Sequence, residues 1–264
     1  MTKLIRDLLI LLSLLSVCKV DFINDYFLIR EMEIQALKEV FAQGIRSKIE
    51  IDGDYQIRIF QDALKKLIKA NVIESQYFLY VDRHPQKQII FVCFFDKEKK
   101  EILEIGRDRV STGNSRRKGH FKTPINMFKN TINHFGYRAD GTKNKQGWQG
   151  LGKKNSRVWD FGWQKIDKNG QTFDIRLLMH ATDPNYGESQ LGKPVSKGCI
   201  RISAELNEFL DQYGLIDRDY ERNKHPQKVQ WLLRKNRTPV FYQGEYLIVS
   251  DSSKWEKSKK GGKN

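Results

Sequence analysis

The sequence predicts a mainly β fold with helical additions, an α+β architecture. Three observations predict it. Residues 26–71 carry apolar positions at helical spacing. From Tyr77 onward the apolar residues come instead in short runs separated by polar turns. Past residue 200 a further amphipathic stretch precedes a last β-type run.

Taken in order, Leu28, Met32, Leu37, Val40 and Phe41 form one helical stripe, and Ile57, Phe60, Leu64, Leu67 and Ile68 form a second. Ile49 to Tyr55, centred on Asp52-Gly53, is a turn between them. Tyr77 to Val81, Ile89 to Phe95 and Ile102 to Ile105 are strand-like, and Asp82 to Gln88 and Asp96 to Lys100 separate them. That spacing is a β-meander. Residues 114–170 hold eight of the 19 glycines and 13 Lys and Arg against three acids, so they are expected as long loops on a rigid scaffold. Phe173 to His180 is again a strand. Ala204 to Tyr213 is a helix burying Leu206, Phe209 and Leu210. Gln227 to Arg234 is a second late helix, and Thr238 to Val249 is a closing strand pair around Gln243-Gly244. The chain divides into 1–18, a helical segment 19–72, a main domain 73–250 and a flexible basic tail 251–264.

Residues 1–18, MTKLIRDLLILLSLLSVC, open with Lys3 and Arg6 and continue in an apolar run from Leu8 to Cys18. Eleven helical residues cover about 16 Å, roughly half a bilayer core. This pattern fits a signal peptide better than a spanning helix, although Ser16-Val17-Cys18 is a poor cleavage site. Export to the periplasm or cell envelope, with the segment cleaved or kept as an anchor, is therefore expected.

The 264 residues are 39% hydrophobic and 30% charged, which excludes both a disordered chain and a polytopic membrane protein. A net charge of +15 suits an anionic partner. Three cysteines exclude a disulfide scaffold. There is no CxxC pair, phosphate-binding loop, HExxH or HxH, so no metal and no cofactor is expected. No helix-turn-helix or RNA-binding aromatic pair is present, so nucleic acid is not an expected partner.

The chemistry concentrates in Leu178-Met179-His180-Ala181-Thr182 and Val195-Ser196-Lys197-Gly198-Cys199-Ile200-Arg201-Ile202. Cys199 follows a glycine and sits among polar and basic residues, where a thiol can be ionised and exposed. A cysteine nucleophile needs a base, and His180 ends an apolar strand that can hold an imidazole rigidly. Gly198 permits close backbone approach, and the amides near Cys199 can face a developing oxyanion. Cys93, inside Ile89 to Phe95, is a core thiol.

A His followed nineteen residues later by the Cys of Ser-x-Gly-Cys-Ile-Arg resembles the L,D-transpeptidase (YkuD-type) catalytic domain of bacterial cell-wall enzymes. Val110-Ser111-Thr112-Gly113, Thr123-Pro124 and Thr238-Pro239-Val240 resemble further landmarks of that family, in the right order. The resemblance covers residues 75–250. It implies a β-sandwich-like fold and a cysteine acyl-enzyme. The substrate it implies is the peptidoglycan stem peptide, attacked at the carbonyl of its third residue, a diamino acid, with loss of the terminal D-alanine. An amine of a second stem or a lipoprotein lysine then accepts the acyl group. Cys199 is then the nucleophile and His180 the general base and acid. The Ala181 carbonyl orients the imidazole. The Gly198 and Cys199 amides become oxyanion donors, and Ser196 and Arg201 shape the pocket.

Two positions depart from the family pattern. Lys197 stands where the family usually has His, and its cation can lower the Cys199 pKa or bind an acidic substrate group. Ala181 replaces a more usual Gly or Ser. Trp148, Trp159, Trp163 and Tyr186 flank the region; Trp148 and Tyr186 are candidate stacking residues, with burial the alternative. His134 is a candidate cleft residue in the Asn133 to Tyr137 loop, whereas His84, His120 and His225 are expected at the surface. Two other functions stay open: an L,D-carboxypeptidase, in which water resolves the acyl-enzyme, and a non-catalytic module binding an anionic wall polymer.

Overall fold

The computed structural model describes residues 22–223 and 226–255. Residues 1–18, where an export signal is expected, His225 and residues 256–264 lie outside them. In chain order the elements are α1 (Phe22–Gly44), α2 (Gly53–Lys69), β1 (Gln76–Asp82), β2 (Ile89–Asp96), β3 (Glu101–Arg109), β4 (Asn126–Lys129), β5 (Tyr137–Arg138), β6 (Arg157–Lys168), β7 (Gln171–Ala181), β8 (Ile200–Ile202), α3 (Ala204–Tyr213), α4 (Arg218–Arg222), α5 (Pro226–Leu232) and β9 (Tyr246–Ser250). Two mixed sheets with added helices make an α+β fold. One has the order β3-β2-β1-β9-β4 and the other β5-β6-β7-β8. β1 pairs parallel with β9 and β7 parallel with β8; the remaining ladders are antiparallel.

β1 and β2 read QYFLYVD and IIFVCFFD, apolar almost throughout, because both faces of their sheet are covered. Tyr77, Leu79, Val81, Ile90, Val92 and Phe94 face the main core, which they share with Trp159, Leu177, Met179 and Ile200 of the second sheet. Phe78, Tyr80, Phe91, Cys93 and Phe95 face a second core under α2. Cys93 is fully buried, as its setting in the sequence predicts.

α1 contributes Ile34, Leu37 and Phe41 to the main core, and Phe41 meets Phe209 of α3 edge-on at 5.2 Å. Gly106 on β3 makes this possible, since a Cβ there would fall 2.2 Å from the Phe41 ring. α2 buries Ile59, Ala63 and Leu67, with Phe60 and Leu64 beside them. Ile57 and Ile68 do not join that face and are 55% and 54% exposed; at about 100° per residue they fall roughly 100° or more from its centre. Leu28 is likewise exposed. Polar contacts also fasten α2: Tyr80 donates to Asp62 at 2.7 Å, and Tyr55 donates to Asp82 at 2.6 Å.

Three expectations need correction. Residues 114–170 are not all loop, since β4, β5 and the twelve-residue β6 lie within them. Glycine and lysine dominate that segment and mask the strand run Val158-Trp159-Asp160-Phe161. Thr238 to Val249 is not a strand pair; only β9 is a strand, and the Thr238 and Val240 amides are spent on the Gln212 and Tyr213 carbonyls at the end of α3. The tail is not free from residue 251: Ser252 Oγ donates to Asp82 at 2.6 Å and Arg83 pairs with Asp251 at 3.2 Å.

Candidate active site

The second sheet positions the expected catalytic pair. Tyr137 lies opposite Val158, Val158 opposite His180, and His180 opposite Arg201, so one register row crosses all four strands. Directly opposed residues share a face, and alternation sends Leu177, Met179 and Ile200 to the core. Tyr137, His180 and Arg201 therefore stand on the other face. Asp160 opposite Leu178 begins the next row. Met179 pairs with Ile200, so Cys199, one residue earlier, continues that row.

His180 is buried, and its Nδ1 lies 2.7 Å from the Ala181 carbonyl oxygen. A carbonyl only accepts, so Nδ1 carries the hydrogen and Nε2 keeps a free lone pair. Burial drives the His180 pKa down to about 4; the Ala181 bond opposes this and the Arg201 charge adds to it. Near neutral pH the imidazole is an uncharged base.

The Cys199 thiol is half-buried. Burial pushes its pKa above the ordinary value, while a Leu178 backbone hydrogen bond and the Arg201 charge pull it back, and Asp160 pushes it up. The resting thiol is thus protonated, which corrects the expectation of an ionised one. Lys197 is exposed; the cation acting on the thiol is Arg201.

The loop before Cys199 is clamped from two distant segments. Ser196, fully buried, donates through Oγ to the Cys199 carbonyl at 2.6 Å and accepts from the Gly198 amide at 3.1 Å. Thr123 Oγ1 donates to the Gly198 carbonyl at 2.8 Å and accepts from the Gly113 amide at 2.8 Å. Ser196 N donates to Thr112 O at 3.1 Å, and Ser111 and Arg201 exchange both backbone bonds. Gly113 must be glycine: a Cβ would sit 2.0 Å from Phe121 O and 2.7 Å from Gly198 Cα. Gly198 has φ +143°, a conformation L side chains avoid. The Val110 to Gly113 and Thr123 landmarks thus meet at the Cys199 loop. One part of the expectation fails. The Gly198 amide is engaged by Ser196, whose hydroxyl folds back over its own turn, so it is not available to an oxyanion. The Cys199 amide, which lies against its own thiol, remains the candidate donor.

Residues 140–155 ride over this strand end. A Cβ on Gly152 would fall 2.7 Å from the Ala181 methyl. Asp183 accepts from the Gln149 amide at 2.7 Å and from those of Asn185 and Tyr186, tying the two loops together. Trp148 and Tyr186 stack at 6.2 Å with planes 15° apart, and Tyr186 is 57% exposed rather than buried. Trp159 is core and Trp163 is exposed. His134 is exposed and packs over Gly162 at the β6 bulge. His120 is half-buried. His84 is buried, contrary to expectation, because its Nδ1 accepts the Gln86 amide at 3.0 Å and so closes the β1–β2 turn.

Sequence reasoning missed Tyr137, Asp160 and Arg176. Asp160 is fully buried, accepting from Gly162 N at 2.8 Å and Arg176 Nε at 2.6 Å. Burial pushes the Tyr137 phenol up, as does the nearby Cys199, while Arg176 pulls it down. The available signal was Asp160 itself, an acid inside the apolar run Val158 to Phe161 of a strongly basic segment. A concavity of about 770 Å³ lies away from this site, between Phe27, Ile73, Arg218 and Phe241. Among the described residues no three His, Cys, Asp or Glu side chains converge as a metal site, and no helix is long and apolar enough to cross a membrane.

No protein-family model and no curated protein matches the chain. Among solved structures it is similar to that of Bdellovibrio bacteriovorus Bd1075, at 16% identity and a TM-score of 0.35, over 70% of this chain and 54% of that one. The chain thus spans about half the length of that protein's chain.

Proposed function

We propose that this protein is a cysteine-dependent L,D-transpeptidase acting on peptidoglycan stem peptides. In this reading the two-sheet core is an L,D-transpeptidase-like β-sandwich with α1 and α2 added, and the protein works in the periplasm or cell envelope. The observation that carries the reading is the convergence at Cys199. His180 and the Cys199 segment lie on adjacent parallel strands, and Ser111 to Gly113 and Thr123 hold the Ser196 to Cys199 loop from behind.

The geometry suits general-base activation rather than a resting ion pair. The His180 Nε2 lone pair takes the Cys199 proton as sulfur attacks the carbonyl of the third stem residue. The Cys199 amide is the proposed donor to the oxyanion. Collapse breaks the peptide bond to the terminal D-alanine, whose nitrogen receives the proton from His180, and a thioester remains on Cys199. The amine of a second stem or of a lipoprotein lysine then attacks the thioester, giving its proton to His180 and returning it to the departing sulfur. Lys197, Arg201, Trp148 and Tyr186 are proposed substrate contacts around that centre.

Incubation with a disaccharide-tetrapeptide and product identification by mass tests this. Loss of one D-alanine with formation of a cross-linked dimer is expected. Loss of D-alanine with only the monomeric tripeptide assigns the same scaffold to an L,D-carboxypeptidase. No turnover with retained binding to wall polymer points to a non-catalytic module.

A further inference from the structure

Beside the catalytic row the second sheet carries a cation that the proposed chemistry does not use. Arg176 lies on β7 two residues before Leu178, on the face that bears His180. Cys199 extends the row of Leu178, so Arg176 starts one strand over and about 7 Å further along. Its guanidinium is held by Asp160, through Nε at 2.6 Å and through Nη2. Asp160 is fully buried, and its other oxygen accepts the Gly162 amide at 2.8 Å. Both carboxylate oxygens are therefore engaged. The arginine side chain is 48% exposed, and three of its five N–H groups are not used on Asp160. Trp163 is directly opposite Arg176 on β6 with a 65% exposed indole, and Tyr137 stands within electrostatic reach of Arg176 and Cys199.

A long, flexible side chain ordinarily loses conformational entropy when it captures a ligand. Here Asp160 has already fixed the guanidinium, so its remaining donors are exposed beside the Cys199 row in a set orientation. We infer that Arg176, anchored on Asp160 and flanked by Tyr137 and Trp163, is the carboxylate-binding subsite for the acyl-donor peptide. The inference rests on the proposed function, and two carboxylates of such a peptide fit the chemistry. One is that of the terminal D-alanine; the other is a side-chain carboxylate on the diamino acid.

The test is a coupling measurement on Cys199→Ala protein, which binds without reacting. Calorimetric affinities are compared with and without Arg176→Gln, for the free tetrapeptide and for peptides amidated at the terminus or at the side chain. Arg176→Gln should weaken the free peptide about 10- to 100-fold, and one amidation should do the same. In the Arg176→Gln protein that same amidation should have almost no further effect, and which amidation behaves so identifies the carboxylate. Asp160→Asn/Arg176→Gln, which leaves no buried charge behind, should behave like Arg176→Gln and separates lost binding from misfolding. Independent, multiplying effects for both amidations would overturn the subsite while leaving the function intact, provided the unmodified protein is still acylated. Absence of both binding and acylation with every peptide would overturn the function and the subsite together.

Discussion

The Nδ1 hydrogen of His180 is donated to the carbonyl oxygen of its own chain neighbour, Ala181, at 2.7 Å. That bond leaves Nε2 as the only basic nitrogen of the ring. Burial lowers the pKa to about 4 and keeps the ring uncharged, and burial also holds the Cys199 thiol above its ordinary value. The resting pair is thiol and imidazole, not thiolate and imidazolium. Thiolate absorbance at pH 7 should therefore be absent, and alkylation of Cys199 by iodoacetamide should climb only well above neutral pH. A full thiolate signal at pH 7 would contradict the neutral pair.

The same burial links His180 to stability. The folded ring titrates near 4 and the unfolded ring near 6.5, so between these values the unfolded chain binds the extra proton. Stability from this group is whole above about pH 6.5 and falls as the pH drops toward 4, by about 3 kcal/mol. His180→Gln should flatten most of that loss in denaturation curves taken at pH 7 and pH 4.5. Equal losses in both proteins would show that His180 is not held neutral.

Arg201 sits opposite His180 and acts on both members of the pair, lowering His180 and lowering Cys199. Arg201→Gln should raise both. The acid limb of the kcat/KM profile should move upward in pH, toward the ordinary imidazole range, and alkylation at pH 9 should slow. An acid limb that stays in place would separate Arg201 from the electrostatics of the site.

Gly113 lies against Phe121 and Gly198 with no room for a methyl group, and the obstructing atoms are backbone. Gly113→Ala should displace the Cys199 loop and lower acylation roughly 100-fold, the scale of a 1 Å misplacement. Gly53→Ala, at the start of α2 with no atom within 4 Å of the new methyl, should leave acylation within about two-fold of the unmodified rate. Similar rates for the two variants would show that the clamp does not position the thiol.

Local pattern was legible and long-range register was not. The β1 to β3 meander and α3 follow from runs such as Ile89 to Phe95 and from the stripe of Leu206, Phe209 and Leu210. The placement of His180 at a strand end also follows from local pattern, whereas its pairing with Cys199 rests on the family resemblance. β6 was hidden because its neighbours are rich in glycine and lysine, which swamp a four-residue apolar run. Ile57 and Ile68 were misplaced because a broad apolar stripe does not say which edge faces the sheet. Tyr137, Asp160 and Arg176 come onto the Cys199 face only through pairings across β5, β6, β7 and β8. The spent Gly198 amide depends on one serine rotamer, which no spacing rule contains.

The most direct measurement is the intact mass of the protein quenched during turnover of a tetrapeptide stem. The expected result is an adduct of the peptide minus D-alanine, mapped to Cys199, absent in Cys199→Ala and greatly slowed in His180→Ala. Turnover by Cys199→Ala, or an adduct on any other residue, would contradict Cys199 as the nucleophile.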